Sequence, residues 1–166
     1  MDEWMSTRAP VGTLHLSRFK DPIYFLLKPI GWKASESREG DVIAPVDVPV
    51  GFVTDFASIP RVFWSVLRPD GDYTYPAIIH DFLYWDQSRS RDISDEIFRL
   101  AMKDFGIDRI TSTTIYEAVR IGGGAAWDEN VVAKRNGEKR ILKVFPDDPR
   151  VSWNAWKTRP GVFADG

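Results

Sequence analysis

The chain contains no cysteine, so disulfide scaffolds, thiolate zinc sites and cysteine nucleophiles are excluded from the start. Histidine is almost as scarce: His15 and His80 are the only two in 166 residues. Charge of either sign is barely in excess, with a net −2 at pH 7. No basic stripe is interleaved with aromatics, so nothing in the pattern calls for a nucleic-acid partner. Long apolar runs are missing too, and no stretch approaches membrane-spanning length. The opening residues, MDEWMSTRAP, are acidic and have no apolar centre, unlike a signal peptide. The expectation is a soluble protein made in the cytoplasm.

What is present is one domain's worth of chain, with 43% apolar and 28% charged residues. Aromatic residues reach 13%, including seven tryptophans. That fits either a dense aromatic core or a large interaction surface, and composition leaves both open. A single domain over residues 1–166 is expected, with residues 1–10 and 146–166 as arms or tails. Thr13–Phe19 and Ile23–Lys28 alternate in the two-residue period of strands, as do Val42–Ala44 and Val46–Val53, where Pro45 and Pro49 restrict them to edges or bulges. After Val53 the period becomes helical. A short helix is predicted with Ser58 as N-cap, Pro60 in its first turn and Val62, Phe63, Val66 and Leu67 on one face. A second helix is predicted from Pro76, and a third from Ser94, closed by Gly106. A fourth is predicted over Arg109–Ile121, interrupted by Gly122–Gly124. Each of those glycines costs about 1 kcal/mol against alanine in a helix, so they must permit close packing, a hinge or a bend. Asn136-Gly137 predicts a hairpin over Val131–Val144. The fold class is therefore α+β: an N-terminal antiparallel β section, three to four packed helices, and a C-terminal β-hairpin with an irregular aromatic tail.

Tyr75–Met102 is the one stretch where a titratable base, acids and apolar helical spacing coincide. His80 and Tyr84, four apart, share a helical face, while Asp81 is turned about 100° from them. Asp95 flanks the apolar stripe of the next helix. If the two helices pack antiparallel, Asp95 reaches both His80 and Tyr84. The candidate catalytic residues are thus His80, Asp95 and Tyr84, and the candidate metal ligands are Asp81 and Asp55. In that arrangement His80 takes a proton from water, Asp95 fixes its tautomer, and a hard cation held by Asp81 stabilises an oxyanion. One histidine and no thiolate cannot make a typical zinc site, which points to calcium or magnesium as the ion. The plainer readings are a hydrogen-bonded structural histidine, Asp92 and Asp95 as first-turn complements of the helix dipole, Tyr84 as core, and Asp55 as a turn aspartate. His15, between Leu14 and Leu16 on a strand, faces solvent.

Gly51–Arg61 (GFVTDFASIPR), Ile79–Tyr84 (IHDFLY) and Ser94–Met102 (SDEIFRLAM), in this order, resemble a small family of uncharacterised proteins found mainly in tailed-phage and prophage genomes. That resemblance implies a phage or prophage setting. More loosely, His80-Asp81-x-x-Tyr84 followed by Asp95-x-x-Phe98 resembles the core of the phospholipase A2 fold, in the compact form of parvovirus capsid proteins. It implies a general base at His80, a calcium ligand at Asp81, and Asp95, supported by Tyr84, orienting the base. The glycine-rich calcium loop of that family has no counterpart here; Arg68–Asp72 and Gly51–Ser58 are the nearest stretches. Two functions are expected from these readings. The first is a virion (tail or baseplate) or phage-accessory component whose Trp-rich termini pack on other phage structural proteins or on copies of the same chain. Trp153 and Trp156, three apart, are expected either to cap the core or to meet a neighbouring subunit. The second is a small metal-dependent hydrolase of phospholipase A2-like type. The protein is expected in the host cytoplasm, or incorporated into the virion.

Overall fold

The computed structural model describes residues 10–33, 44–65 and 72–165. Trp4, Val66, Leu67 and most of Arg68–Asp72 lie outside them. Among the described residues, six short strands come first: β1 (Pro10–Val11), β2 (Leu16–Arg18), β3 (Tyr24–Leu26), β4 (Ile30–Trp32), β5 (Val46–Val48) and β6 (Val53–Thr54). They form two antiparallel three-stranded sheets, ordered β1-β4-β5 and β2-β3-β6. The stretch expected as one strand over Val46–Val53 is split, because Pro49–Gly51 turns the chain between β5 and β6 and hands it from one sheet to the other.

Four α-helices follow among the described residues: α1 (Thr74–Asp86), α2 (Arg91–Asp104), α3 (Arg109–Arg135) and the one-turn α4 (Trp153–Trp156). Together with the strands they make the α+β fold that the sequence indicates. Helix α1 is buried almost all round, as a central helix must be when its sequence is apolar on every side. Leu83, Ile78 and Ile79 pack with Leu26, Trp32, Val46 and Val48 of the sheets, while Ala77 and Tyr84 pack with Phe98 and Met102 of α2 and with Ile115 and Val119 of α3. Helix α2 begins earlier than predicted. Ser90, rather than a residue near Ser94, is its N-cap, its hydroxyl accepting the Ile93 amide at 3.3 Å. Asp108 caps α3 in the same way, accepting from the Thr111 amide at 2.9 Å.

Three local expectations are corrected. Helix α3 runs unbroken through Gly122–Gly124. A Cβ on Gly123 would lie 2.4 Å from the Tyr84 hydroxyl, so this glycine buys close approach to α1 rather than a bend. The predicted hairpin arm Val131–Arg135 is the last turn and a half of α3. Asn-Gly is used there as a helix stop: Gly137 takes φ 82°, and the Glu138 amide donates to the Ala133 carbonyl at 3.0 Å. The segment that follows joins the sheet edge instead, with Leu142 donating to Gly51 at 2.9 Å and Val53 to Arg140 at 2.8 Å. Finally, in the described part of the short helix expected from Ser58, Arg61–Phe63 is a 3-10 turn preceded by Pro60, and Ser58 does not cap it.

The C-terminal tail is not an arm. Trp153 and Trp156 are buried with Phe19, Phe25, Leu142 and Val162 in a cluster of their own. The Trp156 indole donates to the Val144 carbonyl at 3.1 Å. Asp21, in the turn between β2 and β3, accepts the Trp153 amide at 2.8 Å and so ties α4 to the sheet.

Candidate functional site

Helices α1 and α2 pack side by side, which brings together the residues that helical spacing placed on facing sides. His80 Nε2 lies 2.9 Å from Asp95 Oδ1, and the Tyr84 hydroxyl donates to the same oxygen at 2.7 Å. Both partners of the His80–Asp95 pair are fully buried. The imidazole is held flat by Phe98, whose ring stacks on it at 4.5 Å, and by Tyr84 at 4.2 Å. The other carboxylate oxygen accepts from Arg120 of α3 at 2.8 Å, with Arg91 at 3.6 Å. Arg120 also pairs with Asp92 at 2.8 Å, which explains why that first-turn acid faces α3.

Electrostatics follow from this wiring. Burial alone would raise the Asp95 carboxyl, but hydrogen bonds from His80, Tyr84 and Arg120 outweigh it and hold the group below its ordinary value. Tyr84 moves the other way, raised by burial and by its bond to the Asp95 charge, and so remains a donor. The Arg120 guanidinium is raised by its bonds to Asp95 and Asp92. An ionised Asp95 only accepts, so Nε2 of His80 carries the proton. In the neutral imidazole Nδ1 is then a lone pair, and the group facing it is the Ser58 hydroxyl, 3.1 Å away.

Asp81 points away from this line, as its position on the helix requires. Its Oδ2 accepts from the Thr54 hydroxyl of β6 at 2.5 Å and its Oδ1 from the Ser58 amide at 3.4 Å. Burial, and then the nearby Asp55 charge, raise its carboxyl above the ordinary range; Arg140 and the two hydrogen bonds only partly oppose this. Asp55 accepts the amide of Ala57 at 3.0 Å, the turn role that competed with the ligand role. Asp81 and Asp55 do share a cavity of about 220 Å³, walled also by Ser58, Asn130, Glu138 and Arg140. Among the described residues, however, no group of three or more histidines and acids is arranged to hold a metal ion. The positive charge beside Asp81 is Arg140, and the donor set does not fit the calcium or magnesium site that Asp81 and Asp55 suggested.

The structure therefore joins His80, Tyr84 and Asp95, sets Asp81 and Asp55 on a neighbouring wall, and adds four residues that the sequence reading assigned other roles or none. Ser58 was read as a helix cap, and Thr54 entered only as part of the GFVTDFASIPR motif. Arg140 lay within the expected hairpin with no role of its own, and Arg120 carried no signal beyond its place on a helix. Thr54, Asp55 and Ser58 fall together in the TDFASIP run, and that clustering was the available clue to the first two.

A family model described as "Protein of unknown function (DUF1353)" matches residues 33–119. The matched span carries Ser58, His80, Asp81 and Asp95 and stops one residue short of Arg120. A relative from Sinorhizobium fredii, "Uncharacterized protein y4jT", is 32% identical over 78 residues, which is 46% of this chain and 23% of the relative. The chain thus spans less than a quarter of that curated relative's length. No solved structure matches. With just over half of its residues inside the family model, the chain belongs to the DUF1353 family.

Proposed function

We propose that this protein is a small hydrolase of esters or related acyl bonds, with His80 as its general base. One observation carries the reading: a buried, ionised carboxylate holds one imidazole nitrogen at 2.9 Å, while the other nitrogen meets a hydroxyl at 3.1 Å on the wall of a polar cavity. In that geometry Nδ1 accepts a proton as the attacking oxygen forms its bond to a carbonyl carbon. Asp95 stabilises the imidazolium that results, and Tyr84 and Arg120 keep Asp95 charged and fixed. Arg140, on the same cavity, offers positive charge to the developing oxyanion. His80 returns the proton to the leaving alkoxide. No step needs a bound metal. The phage or prophage setting implied by the motif resemblance stays part of the proposal and concerns where such an enzyme acts. The competing reading, a virion component docking through Trp-rich termini, loses its main support on the C-terminal side, where both tryptophans are buried in their own chain.

The test is hydrolysis of a panel of p-nitrophenyl esters with short and long acyl chains. The wild type is expected to turn over at least one of them, and His80→Asn to lose about 10²–10⁴-fold in rate while keeping its circular dichroism spectrum. Chelator should leave the wild-type rate unchanged. Hydrolysis undiminished in a folded His80→Asn protein would falsify the assignment, and a rate restored only by calcium would return Asp81 and Asp55 to the role of metal ligands.

A further inference from the structure

Resting on that reading, we infer that Ser58 is the nucleophile and that the reaction passes through a covalent acyl-enzyme. His80 is fully buried and is not part of the cavity wall; Ser58 is. A cavity water would reach Nδ1 only by displacing the Ser58 hydroxyl that already sits 3.1 Å from it. Ser58, only 2% exposed, is among the residues that line the cavity, and its Oγ is the oxygen that meets the base at 3.1 Å. The Ser58 backbone lies in a tight turn fixed by two hydrogen bonds. The Ser58 amide donates to Asp81, and the Ile59 amide closes the turn onto the Phe56 carbonyl at 3.1 Å. Phe56 itself is held at φ 57°, so the turn takes a conformation that few L residues adopt. Asp95, His80 and Ser58 then form an acid–base–nucleophile line with imidazole Nε2 toward the acid and Nδ1 toward the hydroxyl.

The step balances as an ordinary acyl transfer. Ser58 Oγ gives its proton to His80 Nδ1 and bonds to the substrate carbonyl carbon, whose π electrons move to the oxygen facing Arg140. As the intermediate collapses, the carbon–alkoxide bond breaks and the alkoxide takes the proton from His80. Once Oγ is esterified it no longer holds a proton against Nδ1, and a water entering with the departure of the alcohol gives its proton to that nitrogen and bonds to the acyl carbon. The carbon–Oγ bond then breaks, Oγ takes the proton back from His80, and a carboxylic acid leaves. The substrate class is an ester whose polar portion fits the cavity of Asp55, Asn130 and Arg140.

A fluorophosphonate probe tests this directly, since a nucleophilic serine displaces fluoride at phosphorus and keeps the phosphonyl group. Mass spectrometry of the intact wild type should show one adduct, mapped by peptide sequencing to Ser58, and the adduct should be absent from Ser58→Ala. Labelling of His80→Asn should slow at least 100-fold. With p-nitrophenyl ester, wild type should give a burst of p-nitrophenol stoichiometric with enzyme, and Ser58→Ala should lose at least 100-fold in turnover. Ser58→Cys, which keeps a nucleophile of similar size, provides the check on folding: it should be alkylated by iodoacetamide at residue 58 faster than an exposed thiol control when His80 is present. Wild-type hydrolysis without burst or adduct, or Ser58→Ala turnover within tenfold of wild type, overturns the nucleophile while leaving the general base at His80 intact. Absence of both hydrolysis and labelling in the wild type removes this inference and the hydrolase together.

Discussion

Asp95 and Asp81 are both buried aspartates one helix apart, yet their surroundings push them in opposite directions. Asp95 is held below its ordinary value of 3.8 by bonds from His80, Tyr84 and Arg120. Its folded value lies under its unfolded one, so the stability it contributes is full above the unfolded value and is lost as pH falls through the folded value. Asp81 is raised above 3.8 by burial and by Asp55. Its contribution is in place below the unfolded value and disappears as pH rises through the folded one. Urea titrations of Asp95→Asn and Asp81→Asn across pH should reveal these opposite slopes. At neutral pH Asp95→Asn should cost about 3–5 kcal/mol, the usual consequence of breaking a buried pair and leaving its partners unmatched. That loss should shrink towards acid. Asp81→Asn, which can still accept from Thr54 and Ser58, should cost less than Asp95→Asn at pH 7, and its deficit should grow towards acid, where native Asp81 is neutral. Parallel pH profiles for the two variants would contradict the electrostatic assignment.

At the scale of elements, the long helix α3 owes its continuity to what it packs against. Gly123 sits against the Tyr84 hydroxyl, whereas a Cβ on Gly124 would meet nothing within 4 Å. Gly123→Ala should therefore destabilise by about 1–3 kcal/mol through overpacking, and by moving Tyr84 it should also loosen Asp95. Gly124→Ala should stabilise by about 0.5–1 kcal/mol through helix propensity alone. Thermal melts of the two neighbours decide the matter, and equal effects would mean that the glycine run is not a packing device. The same pair shows why the sequence was legible in some places and silent in others. His80, Tyr84 and Asp95 could be placed together because four-residue spacing and adjacent helices are local rules, and their distances bear that out. The glycine run was expected to interrupt its helix and to permit close packing, a hinge or a bend. The helix runs through it and Gly123 gives the close packing, whereas Asn136-Gly137 serves a helix stop rather than the hairpin its intrinsic preference suggests. Ser58 and Arg140 reach the site from segments that are distant in sequence, and no periodicity links them to His80.

Across the whole molecule, most of the described aromatic residues fall in or against three buried clusters. The cluster around Trp153 and Trp156 does more than fill space. It fixes the C-terminal segment against the sheet, where Leu142 bonds to Gly51 and the Arg140 carbonyl accepts the Val53 amide. Arg140 thereby arrives on the cavity from the far end of the chain, while Asp95, His80 and Ser58 depend on α1, α2 and the turn after β6. The site is thus assembled from two structural units of different provenance, and loosening one should spare the other. Trp156→Ala removes a buried indole and its bond to Val144, a change expected to cost about 3–5 kcal/mol. Native-state hydrogen exchange should then show the Val53 and Leu142 amides losing protection well before those of Ile79 and Leu83 in α1. Ester turnover should fall through the loss of Arg140, while fluorophosphonate labelling of Ser58, which needs His80 and Asp95, should persist. Protection lost equally in both units would mean that the C-terminal segment unfolds only with the rest, and the division of the site into two separable supports would be wrong.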